Sequence, residues 1–133
     1  MVSKIIKKYL FAASFLLILD LFWLLVLMFS FYTEQLSGFL RPDPVPVWSA
    51  AVAWFLIPVG IVFFVNNVAT TLKENAWYGA LYGLILYGVY DFTNYATLAS
   101  WPLSLLVVDV LWGMFLCATA SVFLYFIEQK YMS

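Results

Sequence analysis

Histidine is absent from this sequence, and cysteine occurs once, at Cys117. A lone cysteine forms no internal disulfide. Without histidine the chain lacks the usual axial haem ligand and the commonest ligand of catalytic zinc sites. No cofactor and no metal are therefore expected. Charge is scarce as well: there are 6 Lys and Arg against 7 Asp and Glu, a net charge of −1. That balance offers no basic face to a nucleic acid, so no such partner is expected. The apolar runs are long and continuous rather than alternating, which excludes a transmembrane β-barrel.

What the chain has in excess is apolar surface. Of its 133 residues 66% are hydrophobic and 10% charged, whereas a soluble domain averages roughly 45–50% and 25%. A water-soluble core of this size could not hide so much. The class is an integral membrane protein, read as a single membrane domain over residues 1–133 with lipid as its surroundings. A membrane helix needs roughly 20 apolar residues, and four segments qualify, near 9–31, 47–66, 76–97 and 102–127. The expected fold is an all-α bundle of four transmembrane helices. The first segment follows Lys4, Lys7 and Lys8 as a signal peptide would. It is too long for one, carries Asp20 and lacks a small-x-small cleavage site, so it is read as a retained anchor.

An even number of crossings puts both termini on one side. Lys4, Lys7, Lys8, Lys73 and Lys130 then share that side, with Arg41 alone opposite, which makes the shared side cytoplasmic. The prolines at 42, 44 and 46 in "TEQLSGFLRPDPVPV" predict a stiff, extended connector. Pro58 predicts a kink in the second helix, and "TLKE", residues 71–74, a capping box before the third. The very short link at "LASWP" makes the third and fourth helices antiparallel neighbours.

Three acids lie inside the apolar segments. Asp91 sits roughly 22 Å up the third helix, and Asp109 roughly 10 Å down the fourth. In a core of about 30 Å these depths nearly coincide, with Asp20 slightly deeper on the first. Asp109, Gly113, Cys117 and Ser121 recur every four residues, as do Gly79, Gly83, Tyr87 and Asp91. Small residues on such stripes let helices approach closely. A lipid-facing carboxylate would cost at least about 2.5–3.5 kcal/mol, so all three acids are expected to face inward. "DLFW" (Asp20, Trp23), "DVLW" (Asp109, Trp112) and "DFTN" (Asp91, Asn94) each pair a polar tip with a neighbour three residues on, on one face. With no intramembrane cation, the acids are expected to share protons or hydrogen bonds among themselves and with Asn94, Thr93 and nearby tyrosines. Trp23 and Trp112 are candidate pocket walls. Trp48, Trp77 and Trp101 suit an interfacial belt.

"LDLFW", "FY", "YDFTNYATLASWPL" and "VDVLWG" together resemble a bacterial family of small inner-membrane proteins known as a domain of unknown function. The resemblance covers nearly the whole chain. It is carried by Tyr90, Asp91, Thr93, Asn94, Ala96, Thr97, Trp101, Pro102, Asp109, Trp112 and Gly113, with Ser100 standing where a glycine is expected. It implies a four-helix, multi-pass protein of the bacterial inner membrane and lends no activity, substrate or cofactor.

Three functions fit an intramembrane carboxylate cluster. The expected one is a proton- or cation-coupled transporter, with Asp20, Asp91, Asn94, Asp109, Trp23 and Trp112 as site candidates. A non-catalytic assembly or stability subunit is the alternative. An enzyme acting on lipid is the weakest, since no nucleophile motif is present and no catalytic residue stands out. Gly79, Gly83 and Gly113 are read as helix-packing residues. A homodimer through the "GALYG" stripe is expected, provided that stripe is not used up within the chain.

Overall fold

Backbone groups in hydrocarbon have no water to bond, so an apolar chain must satisfy them within its own helices. The computed structural model describes residues 1–132, and these form an all-α fold with no strand. Its five helices are α1 (Val2–Phe22), α2 (Phe29–Gln35), α3 (Val47–Gly60), α4 (Leu72–Thr97) and α5 (Leu103–Tyr131). A wide π-helical turn, Trp23–Leu27, extends α1, and another, Ile61–Asn66, extends α3. By length and composition three stretches can cross a membrane: Val2–Leu27, Val47–Asn66 and Leu103–Tyr131. These correspond to three of the four expected segments; the remaining one, near 76–97, lies within α4. α4 is 26 residues long, but Lys73, Glu74 and Asn75 at its start and Asp91, Thr93 and Asn94 near its end dilute its apolar character.

The first helix also differs from the expected 9–31. It begins at Val2, because Lys4 and Lys8 are drawn into the bundle end by Glu128 at 3.3 and 3.1 Å. It does not run on unbroken to Phe31. The backbone leaves helical geometry at Met28 (φ −122°, ψ 16°) before α2 resumes. α5 is extended past Ile127 to Tyr131, which places Glu128 within reach of those lysines.

α4 and α5 form the tightest pair, and their contacts run antiparallel. Asn75 meets Ser121, Gly79 lies on the backbone at Cys117 and Ala118, and Gly83 lies on Gly113. A Cβ at Gly83 would be driven into the Gly113 carbonyl, and one at Gly113 into the Tyr87 ring. α1 packs on the other side of α5, and the two contribute Ala12, Leu16, Leu116, Cys117, Ala120 and Leu124 to the core with Ile61 and Val62. The "GALYG" stripe is thus occupied within the chain.

Two polar devices fix the start of α4. Thr71 and Glu74 form the capping box read from "TLKE": Thr71 Oγ1 accepts from Glu74 N–H, and the Glu74 carboxylate accepts from the backbone of Thr70 and Thr71. Those bonds, the Thr70 N–H foremost, hold the Glu74 carboxyl below its ordinary range. Behind the cap, buried Asn75 Oδ1 accepts from Asn66 Nδ2 (3.2 Å) and Ser121 Oγ (2.8 Å), while its Nδ2 donates to Thr71 O (3.0 Å). One side chain therefore ties the end of the second span to α4 and α5.

Candidate functional site

The three intramembrane acids occupy two different environments. Asp20, near the end of α1, is buried with both oxygens engaged. Trp54 Nε1 of α3 donates to Oδ2 at 2.6 Å, and Trp112 Nε1 of α5 donates to Oδ1 at 2.9 Å. The Trp112 ring is stacked on Trp23, with centroids 4.1 Å apart and planes 2° from parallel. Trp23 Nε1 donates to the Tyr32 hydroxyl (3.2 Å), which donates to Asp109 Oδ1 (2.9 Å). A path of hydrogen bonds and one ring stack thus links Asp20 to Asp109 without bringing the two carboxylates together.

The wide turn in the first span explains how Tyr32 reaches this site. An unbroken α-helix would place Tyr32 about 120° round from Asp20. The turn inserts one residue, marked by the Met28 N–H bonding to Trp23 O five positions back. That insertion, with the break at Met28, redirects the chain so that the Tyr32 hydroxyl reaches Asp109.

Asp91 is the contrast. It is 0% exposed, and neither carboxyl oxygen has a hydrogen-bond partner among the described residues. Asp109 and Trp101 are polar neighbours of its carboxyl. The Trp101 N–H is itself buried and unpartnered. Two carboxyl groups in contact repel when both are ionised and bond when one carries a proton.

Asp109 also opens outward. It lines a cleft of about 360 Å³ whose walls are Ala53, Leu56 and Ile57 of α3 and Tyr82, Leu86, Tyr87 and Tyr90 of α4. The cleft exists because the main body of α3 packs on α1, and the second span joins α4 through its π-helical end. Below, the Tyr82 hydroxyl bridges the gap by donating to Ile57 O (3.2 Å). Leu56, 62% exposed, and Tyr90 stand at the rim on the outer surface of the bundle. The opening is sideways.

The placement of the remaining candidates is mixed. Trp23 and Trp112 are at the site, but they form the wall between Asp20 and Asp109 rather than line the cleft. Asn94 is half-buried beside Tyr90 and donates to neither acid. Trp101, expected at a membrane edge, is 8% exposed and packs against Phe39 and Tyr90. Trp48 and Trp77 are 73% and 66% exposed. Sequence reasoning missed Trp54 and Tyr82 as site residues and did not single out Tyr32; Tyr90 is among the tyrosines it expects beside the acids. Trp54 could have been found as an indole on the second span, facing a buried acid. Tyr32 belongs to the "FY" of the family resemblance, but its aim could not be read, because the wide turn that sets it leaves no mark in the pattern. Among the described residues no three acids or thiols converge as a metal site.

Apolar helices of membrane-crossing length, packed around buried acids held by indoles, define a membrane-embedded α-helical protein. Residues 5–126 match the family described as predicted membrane protein (DUF2177), and the chain belongs to that family. No curated protein matches it. No solved structure matches it.

Proposed function

We propose that this chain is a multi-pass carrier of the bacterial inner membrane that exchanges a proton at the Asp91–Asp109 pair for a cationic substrate. The observation that carries the reading is Asp91. A fully buried carboxyl with both oxygens unpartnered is costly. It is tolerable when a proton is shared with Asp109, which opens on the cleft. The groups facing the pair are Asp20 from α1, Tyr32 from α2, and Tyr87 and Tyr90 from α4. None is a cation. The nearest buried lysine, Lys8, is paired with Glu128 about 18 Å further along α1. Asp20, fully bonded to two indoles, serves as a fixed clasp.

In this reading α4 is a fourth crossing. Its 26 residues span about 39 Å, and it runs antiparallel to α5, itself long and apolar enough to cross. The five lysines then lie on the cytoplasmic side with both ends of the chain.

Infrared difference spectroscopy on the protein in lipid, between about pH 5 and 9, tests the pair. A protonated-carboxyl band that titrates in this window is expected. If one proton is shared between the two carboxyls, Asp91→Asn and Asp109→Asn should each displace the whole step. A wild-type spectrum without carboxyl change in that window overturns the proposal.

A further inference from the structure

We infer that the cleft between α3 and α4 takes an amphiphilic organic ammonium ion from the lipid phase, its cationic head at Asp109 and its apolar body between the two helices. The inference deepens the proposed function and rests on it for the proton exchange. The charge on the cleft has one sign: among its lining residues Asp109 is the one carboxyl, and none is a lysine or arginine. A positive head is therefore the complement. Tyr82, Tyr87 and Tyr90 add ring faces, which attract a desolvated cation. The rest of the lining is Ala53, Leu56, Ile57 and Leu86, which suits hydrocarbon and offers nothing to a hydrated ion. A hard metal cation needs six or more oxygen ligands; one carboxylate and scattered hydroxyls do not provide them. About 360 Å³ is within the range of small-molecule pockets.

The unpartnered oxygens of Asp91 are an independent observation pointing the same way. They are buried next to Asp109 and outside the cleft lining. In the empty site the pair holds one proton and one negative charge. When an ammonium ion pairs with Asp109, the shared proton is no longer needed to offset repulsion at that carboxylate and leaves. One positive charge enters as one departs, so the exchange is electroneutral. No bond is made or broken apart from those to the proton. The bridge from Tyr82 to Ile57 closes the lower end of the cleft. The route in is therefore lateral, past Leu56.

The test uses decyltrimethylammonium bromide and the full chain in lipid nanodiscs, with tyrosine and tryptophan fluorescence for binding and a pH dye for protons. Sodium decyl sulfate, of equal chain length and opposite charge, is the comparator. Saturable binding of the ammonium is expected, with about one proton released per ion bound. Asp109→Asn should weaken it by about tenfold or more. Leu56→Trp should block it while leaving the carboxyl titration intact, because this side chain is at the rim and not at the pair. Equal binding of the sulfate, or binding unchanged in both variants, overturns the inference. Carboxyl titration that persists while the ammonium fails to bind overturns the ligand class alone. Absence of titration overturns the pair beneath it.

Discussion

At the scale of the residue, the costliest groups are those whose partners are fewest. Asn75 serves two donors with one oxygen, deep in the bundle. Asn75→Ala strands Asn66 Nδ2 and Ser121 Oγ, and Asn66 Oδ1 is already unpartnered. Stranded groups cost about 1–3 kcal/mol in water-soluble proteins, though bonds between membrane helices average nearer about 0.6 kcal/mol. A loss of about 1–2 kcal/mol is expected on those grounds, measured by reversible unfolding in mixed micelles of rising dodecyl sulfate content. The acids themselves were legible, because a charge in hydrocarbon is expensive enough to announce itself. Trp112 was legible as a site residue, but its pairing with Asp20 was not, and Trp54 was not legible at all. Trp54 and Trp112 lie 34 and 92 positions from Asp20, and nothing local records which indole turns toward which acid.

At the scale of the element, backbone contact decides the pairing of α4 with α5. Gly83→Ala places a methyl against the Gly113 carbonyl, an atom that cannot step aside without parting the helices. Overpacking of this kind costs about 1–3 kcal/mol, and the same unfolding assay should show it. Gly88→Ala is the matched control. Its Cβ would meet only Leu84 and Phe92 side chains at 3.8 and 4.0 Å, and alanine improves helix propensity by about 1 kcal/mol, so stability should hold or rise. The stripes of small residues were visible as four-residue repeats. The wide turns after Phe22 and Gly60 were not, since an inserted residue alters helix phase without altering composition. The sequence therefore indicated which faces were polar and left open where Tyr32 would point.

At the scale of the whole molecule, the path across the membrane turns on α4. Single cysteines at Gly38→Cys, Lys73→Cys and Ser100→Cys can be labelled from either side with an impermeant maleimide, the native Cys117 being buried. Gly38 has no atom within 4 Å of a Cβ position and tolerates the change. Labelling of positions 38 and 100 from outside, and of 73 from inside, is expected. If 73 and 100 share a side, α4 does not cross and the bundle has three spans. The helical, membrane-bound character was written in the composition, and residues 76–97 read as a span from sequence, whereas three stretches qualify by length and apolar character; the labelling decides whether α4 crosses. The sideways opening beside Leu56 has a consequence for any dose–response measurement. A mouth that faces acyl chains samples the bilayer as its reservoir, so occupancy follows the number of ligand molecules per lipid. Adding empty vesicles at constant ligand would then dilute the ligand away from the site, and an affinity expressed per volume of water would change with the lipid present.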